Sequence, residues 1–282
     1  MSEYGMYEKI NKAKWDERAA IHAESQDYKV KDFLTSQTYI SNVVEFDRPL
    51  LGSITGLNCV HLQCHIGTDT LSLSRLGASS VTGLDFSPAS LAEARKLASA
   101  TTSTGGERVT FVEASVYDSL KVLNPGSFDL VYTGIGALCW IPSVHDWARV
   151  VAGLLKPGGR LFIREAHPVL WALDETSENR LVINLPYFER DEPMIFHEDG
   201  TYVETGGHKF KATASAEFNH GLGEIIEALL YYKMRISGFV EHQSVPWPAI
   251  PAQMVSDHRG EYTLRDQPWR LPHSYTLQAI KE

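Results

Sequence analysis

The chain has 282 residues, 43% of them apolar and 22% charged, with a formal net charge of −9. That composition suits one large globular domain, or one carrying an inserted cap. The lack of a long Lys/Arg block disfavours a nucleic-acid partner. No basic and apolar leader opens the sequence, and the weakly polar run 130–142 is too short to span a bilayer. Three cysteines (Cys59, Cys64 and Cys139) are too few for a disulfide scaffold. The expectation is a cytoplasmic protein with no membrane partner.

Helical spacing opens the chain. Ile10, Trp15, Ala19 and His22 fall near one face over 7–23, and further helices are predicted over 30–33 and 40–51. Gly52-Ser53 and Thr55-Gly56 then break the pattern. Strands follow at 59–63, 80–84, 109–113, 128–133 and 160–164. Helices fall at 68–76, from Ser87-Pro88 to 97, and at 144–155. Pro88 stands where a missing N–H costs nothing. Alternation at this spacing predicts a parallel sheet with helices on both faces.

After Ala166 the rhythm changes. Short strands are expected at 181–185, 194–197, 201–204 and 209–217, separated by turns such as Asp199-Gly200 and Gly206-Gly207. A helix over 222–233 is expected to be capped by Asn219, and strands at 236–241 and 274–280 would complete the sheet. The segment 245–272, rich in Pro, Trp and charge, reads as loop.

The strongest constellation is the turn after the first strand and the end of the second. A helix starting just past Gly67 presents free N–H groups and a partial positive charge, and glycine lets the backbone approach a ligand. Asp85, ending the next strand, is placed like an acid that accepts ribose hydroxyls. Taken singly, Gly67 could be a turn glycine and Asp85 a helix cap.

Four segments extend the case. Val60-His61-Leu62-Gln63-Cys64-His65-Ile66-Gly67 resembles motif I of class I S-adenosylmethionine-dependent methyltransferases. Val81-Thr82-Gly83-Leu84-Asp85-Phe86-Ser87, Phe128-Asp129-Leu130-Val131-Tyr132-Thr133 and Leu155-Lys156-Pro157-Gly158-Gly159-Arg160-Leu161 resemble the pieces that follow it in that family. The closing segments His220-Gly221-Leu222-Gly223, Gly238-Phe239-Val240 and 271–277 are also similar to it, more weakly.

This resemblance implies an α/β fold with a doubly wound, seven-stranded, mostly parallel sheet. It implies a helical lid at 1–56, an S-adenosylmethionine-binding domain of 57–168 and 218–282, and an antiparallel β insertion at 169–217. By position, Gly67 and Thr68 form the turn, Asp85 takes the ribose, and Phe86 covers the adenine beside Ser87. Ser115 and Val116 face the adenine edge, and Thr133 and Gly134 lie under the methionine portion.

The family pattern has an acid and three alternating glycines where this chain has His61, Gln63, His65 and Gly67, so only the last glycine survives. Gln63 and His65 could instead offer side-chain hydrogen bonds to the cofactor's amino and carboxylate groups. In the lid, Tyr4, Tyr7, Trp15 and Arg18 are available, with Arg18 pairing the cofactor carboxylate. Surface packing of that helix is the alternative.

S-adenosylmethionine carries a reactive methyl group, so the protein must mainly align an acceptor, exclude water and, where needed, take a proton. His167 and Tyr7 are the catalytic candidates, although His167-Pro168 also reads as a plain strand-to-loop turn. Tyr117, Trp140, Trp171, Tyr187, Phe188, Phe196 and Tyr202 make the insertion side aromatic, which suits a small organic acceptor. No metal site is expected: four residues of strand put His61 and His65 about 13 Å apart.

The function implied is methyl transfer to a nitrogen or oxygen of a small metabolite. A nicotinamide-dependent oxidoreductase would want G-x-G-x-x-G, which 63–67 does not supply. A non-catalytic S-adenosylmethionine-binding protein remains open, as does a homo-oligomer.

Overall fold

Three helices precede the first strand in the computed structural model, which describes residues 5–282: α1 (Gly5–Glu24), α2 (Val30–Thr35) and α3 (Asn42–Leu51). Tyr4 lies outside the described residues. Strand and helix then alternate as β1 (Asn58–Leu62), α4 (Thr68–Arg75), β2 (Ser80–Asp85), α5 (Pro88–Ala100), β3 (Val109–Glu113), α6 (Ser119–Val122) and β4 (Phe128–Thr133). Next come α7 (Val144–Leu154), β5 (Leu155–Ala166), α8 (Pro168–Trp171), β6 (Met194–His197) and β7 (Ala214–Glu217). The chain ends with α9 (Leu222–Tyr231), β8 (Met234–His242), β9 (Met254–Ser256), β10 (Tyr262–Leu264) and β11 (Ser274–Lys281).

Seven strands form one sheet in the order β3-β2-β1-β4-β5-β11-β8. β1 to β5 pair in parallel, and β11 runs against both β5 and β8. Side chains alternate across it. Val60, Leu62, Val131, Leu161 and Ile163 pack with Trp147 and Val151 of α7 and Leu229 of α9. Cys59, Leu130, Tyr132 and Phe162 pack the other way, against Val44 and Leu51 of α3 and Leu73 of α4. Burial on both faces is why these strands read as continuous apolar runs. The strand order reverses between β1 and β4, which opens a crevice at their C-terminal ends, where such sheets bind ligands.

The insertion is less regular than expected. Segment 181–185 contributes one isolated bridge, Ile183 to Leu173, and 201–204 forms no strand. The strand expected at 209–217 shrinks to β7, paired with β6. The reason lies on α1. Glu17 accepts the N–H groups of Lys211 and Ala212, so helix side chains hold backbone that a neighbouring strand would otherwise hold.

Two further corrections concern the C-terminal part. Segment 245–272 contains the β9–β10 pair, which closes Val245, Ile250, Met254 and Leu264 over Leu170 and Leu173. Asn219 does not cap α9. Its amide bridges the carbonyls of Pro168 and Pro186, while the Glu224 carboxylate takes the Gly221 N–H at 2.6 Å.

Candidate active site

The turn after β1 carries three left-handed residues: Gln63 (φ 57°), His65 (φ 49°) and Gly67 (φ 76°). These are the three places where the resembled pattern alternates glycines. The backbone path therefore persists with side chains on two of its positions, at roughly 1–2 kcal/mol of strain each. Local bonds hold them there. Gln63 Nε2 donates to Ala137 O at 2.8 Å, and the His65 N–H donates to Asp85 Oδ2 at 2.8 Å. His65 Nδ1 meets Ser90 Oγ at 3.0 Å, and its Nε2 meets His22 Nδ1 at 2.9 Å. Both ring nitrogens of His65 are thus engaged within the protein rather than offered to a ligand.

Gly67 is a packing glycine as well. A Cβ there would come within 2.8 Å of Ala94 and 2.9 Å of Phe111, so the residue must be small whatever binds above it. Thr68 opens α4 just past it and is buried.

Asp85 ends β2 with each carboxylate oxygen accepting one N–H, from His65 and from Ser87 (2.9 Å). Burial, aided by the Asp16 carboxylate, pushes its carboxyl up to about 6, against backbone N–H bonds from Ser87, His65 and Phe86. Ser87 caps α5, accepting the Ser90 N–H and donating to Asp16 Oδ1 at 2.6 Å. Ser115 donates to Glu8 and accepts the Tyr117 N–H, while Phe86 is half-buried beside Asp85. The Val116 side chain lies in the core against the α7 layer and does not present itself to a ligand.

Glu8, Lys12 and Asp16 project along one face of α1, one turn apart, onto Ser115, Glu113 and Ser87. The helix therefore lies across the ends of β2 and β3. Its opposite stripe is polar and buried. Asn11 exchanges both hydrogen bonds with the Ala216 backbone, and Lys14 donates to Ser215 Oγ. Of the face read from Ile10, Trp15, Ala19 and His22, the last two are buried and the first two half-buried, and Asn11, Lys14 and Arg18 are buried beside them.

Arg18 is placed differently from its expected role. Only 1% exposed, it donates to the carbonyls of Lys14, Ala212, Glu198 and Gly200 and sits 4.3 Å over the Phe210 ring. Its terminal nitrogens fasten the insertion to α1, and Nε alone is left, buried and without a partner. Trp15 closes on the turn instead, 4.9 Å from His65 and 5.1 Å from Trp140 in edge contacts. His22 stacks on Tyr28 and meets Tyr202 edge-on, and the two tyrosine hydroxyls bond each other.

The catalytic candidates lie apart. His167 Nδ1 accepts the Val169 N–H at 3.1 Å as the cap of α8, and its Nε2 faces Glu241 at 3.1 Å. Both ring nitrogens thus have partners within the protein. Tyr7 packs edge-on against Phe218 at 5.7 Å. The insertion-side aromatics do not form one pocket. Trp171 stacks on Trp247 and Tyr187 meets Phe188, while Trp140 and Tyr202 alone join the cluster around Trp15.

Two organising residues escaped the sequence reading. Glu165, ending β5, accepts the N–H groups of Gly136, Ala137, Leu138 and Ala166 at 2.7–2.8 Å. Burial raises its carboxyl, and these four bonds oppose that. It thereby shapes the loop after Thr133 and Gly134. His220 braces the same loop, with Nε2 on the carbonyls of Leu138 and Ile141 and Nδ1 on Glu189 at 2.6 Å. An acid closing a central strand beside a glycine-containing loop was the available signal.

The crevice suits a nucleoside with a polar tail. The Gln63 Oε1 and Thr133 Oγ1 atoms, from the facing ends of β1 and β4, are buried without partners. Asp85 ends β2 beside them, and α4 offers its N-terminus.

Sheet order, crevice and turn together define a class I methyltransferase fold. Residues 60–163 match the methyltransferase domain family. Among curated proteins, it is 36% identical over 153 residues to a ubiquinone biosynthesis O-methyltransferase of Xanthomonas euvesicatoria, covering 54% of this chain and 58% of that one. A mitochondrial ubiquinone biosynthesis O-methyltransferase of Dictyostelium discoideum is 26% identical over 140 residues, 48% and 43% of the two chains. The chain thus spans about half the length of these relatives. Among solved structures, an S-adenosylmethionine-dependent methyltransferase from Mesorhizobium loti superposes with a TM-score of 0.58 at 23% identity, covering 86% and 98% of the chains. Magnesium protoporphyrin IX methyltransferase from Synechocystis, with bound S-adenosylhomocysteine, gives 0.55 at 18%, covering 98% of each. No described helix is long and apolar enough to cross a membrane.

Proposed function

We propose that the chain transfers a methyl group from S-adenosylmethionine to an oxygen or nitrogen of a small metabolite. The observation that carries this reading is the left-handed turn of Gln63, His65 and Gly67 held against Asp85 at the strand-order reversal. Asp85 would accept the ribose hydroxyls, Gln63 and Thr133 would meet polar groups of the methionine end, and Phe86 would cover the adenine. The cofactor supplies an electrophilic methyl group. The chain's own work is to hold, align and dry the site. Trp15, Trp140, Tyr28 and Tyr202 form the water-excluding side, and Glu165 fixes the loop on which Gly134 and Ala137 stand.

On this reading residues 1–56 are a lid and 169–217 an insertion, placed around a cofactor-binding domain of 57–168 and 218–282. The names of the two curated relatives favour an oxygen acceptor. Three buried free thiols suit a reducing compartment, and we place the enzyme in the cytoplasm.

The test is calorimetric titration with S-adenosylhomocysteine, followed by incubation of a metabolite extract with methyl-labelled S-adenosylmethionine. Micromolar binding and a labelled small product are expected. Binding without any labelled product would favour a non-catalytic cofactor-binding protein, and no binding would end the proposal.

A further inference from the structure

Where β4 leaves the sheet, side chains from three elements converge on one small space. A methyl group built on Gly134 would lie 3.5 Å from Asp69 Oδ2, 3.6 Å from His61 Nε2 and 3.7 Å from Tyr132 Cε1. All three distances are ordinary van der Waals contacts, so the corner has room for one small group.

The chemistry of its walls is one-sided. Asp69 stands in the first turn of α4, and its carboxylate has the Ser41 hydroxyl as hydrogen-bond partner. Among the described residues no lysine or arginine compensates it. Its charge is felt instead by the phenols of Tyr28, Tyr39, Tyr132 and Tyr202 and by the Asp47 carboxyl. His61 is 3% exposed, with Nδ1 bonded to Thr70 Oγ1 at 2.9 Å. Its Nε2, aimed at the Gly134 corner, has no hydrogen-bond partner among the described residues. The Thr70 hydroxyl also reaches the Cys64 thiol, so it can accept from Nδ1–H while donating to sulfur. That tautomer leaves Nε2 as an acceptor.

A half-buried carboxylate, an acceptor nitrogen and a phenol ring without a cation lack one kind of partner. A metal ion would want four or more ligands, and no group of three candidate ligands occurs among the described residues. An ammonium group needs only acceptors and ring surface.

We propose that this corner is an alkylammonium site, in which Asp69 neutralises the charge and His61 Nε2 accepts one N–H. The resembled family has its motif I acid at the place of His61. Here the carboxylate comes from the helix that faces that strand. Two sources share this chemistry: the α-ammonium of the cofactor's methionine end, and an amine acceptor. The first source rests on the function proposed above, whereas the second does not need it.

The experiment compares wild type, Asp69→Asn and Gly134→Ala at pH 7.5, each checked for folding by circular dichroism. S-adenosylhomocysteine and its desamino analogue are titrated into each, and benzylammonium is titrated into each protein with and without S-adenosylhomocysteine. A cofactor source predicts that wild type prefers S-adenosylhomocysteine over the desamino analogue by tenfold or more, and that Asp69→Asn abolishes this preference. An acceptor source predicts benzylammonium binding that falls tenfold or more in Asp69→Asn, with cofactor-analogue binding unchanged. Gly134→Ala, which fills the corner and keeps the charge, is expected to weaken the same ligand, and it decides the matter if Asp69→Asn does not fold. Affinities unchanged by both substitutions would overturn the site. Should S-adenosylhomocysteine fail to bind wild type, the proposed function falls, while benzylammonium on the free protein still decides the corner.

Discussion

His22 Nδ1 and His65 Nε2 lie 2.9 Å apart, joining the lid helix to the left-handed turn after β1. One ring donates and the other accepts. Burial favours the neutral forms this requires, pushing His22 down to about 3 and His65 well below its ordinary value. The bond ties α1 to the part of the site that a nucleoside would touch. His22→Leu keeps the bulk and removes the bond, at a net cost of ~1 kcal/mol. Amide hydrogen exchange in α1 should then speed up by roughly fivefold, the Boltzmann factor of that energy. Unchanged exchange would mean that the insertion contacts alone hold the helix down.

Asp85→Ala should weaken S-adenosylhomocysteine binding by ~1.5–3 kcal/mol, the range for a hydrogen bond to a charged group. The carboxylate also holds the N–H groups of His65 and Ser87, so part of the loss comes from a loosened turn. Asp85→Asn keeps one acceptor oxygen and should fall between the two. A dissociation constant unmoved by Asp85→Ala would remove the ribose assignment.

His167→Ala should leave turnover intact. Its Nδ1 is spent on the Val169 N–H and its Nε2 on Glu241. The expected cost is ~1 kcal/mol of stability, that of a lost helix cap, read as a lower midpoint in urea. A large drop in kcat with an unchanged midpoint would restore the residue to the chemistry.

Arg18→Met tests the fastening of the insertion. The substitution leaves the carbonyls of Ala212, Glu198 and Gly200 without their donor and replaces the cation over Phe210. A loss of ~2–4 kcal/mol is expected from those unmade bonds. Limited proteolysis should find its first new cuts between β6 and β7. Cuts elsewhere would place the weak point outside this contact.

The legible parts of the molecule were those with local rules. Strands such as Phe128–Thr133 and Val109–Glu113 matched their expected bounds, because apolar runs between turn residues leave few alternatives. Asp85 was legible because it ends such a strand. The buried face of α1 was half legible, since Ala19 and His22 lie on it but so do Asn11, Lys14 and Arg18. Their partners are backbone atoms of 198–200 and 212–216, and no periodicity in α1 reports bonds to a segment so distant in sequence. His65 misled for a related reason. Whether a non-glycine residue will adopt a left-handed conformation depends on Ala137, Ser90 and His22, which only the folded chain brings near. Asp69 was not singled out, because nothing in α4 announces that Gly134 faces it.

Buried titrating groups set opposing slopes of stability with pH. His22 and His61 are held down to about 3, and His242 and His273 to about 4, below the ordinary value near 6.5. The unfolded chain binds more protons at these sites, so their contribution is complete above about pH 6.5 and is lost as pH falls. Burial raises Asp47 to about 7 and Asp69 and Asp85 to about 6. For these the folded chain holds the proton, so their contribution is complete below about pH 4 and is lost as pH rises through 6 to 7. Above pH 6.5 the unfolded chain's histidines are still losing their last protons, so the contribution of Asp47 is isolated by comparison with a variant that lacks its proton. It lies beside Tyr132, which donates to it at 2.6 Å, with Arg164 favouring its charge and Asp69 and Glu261 opposing it. Asp47→Asn keeps an acceptor for Tyr132 and has no proton to lose. The stability of wild type relative to Asp47→Asn should therefore fall between pH 6.5 and 8, by on the order of 1 kcal/mol per pH unit at its steepest, read from thermal midpoints of the two proteins. Parallel profiles for the two proteins would show that Asp47 is already ionised in the folded chain, balanced by Arg164.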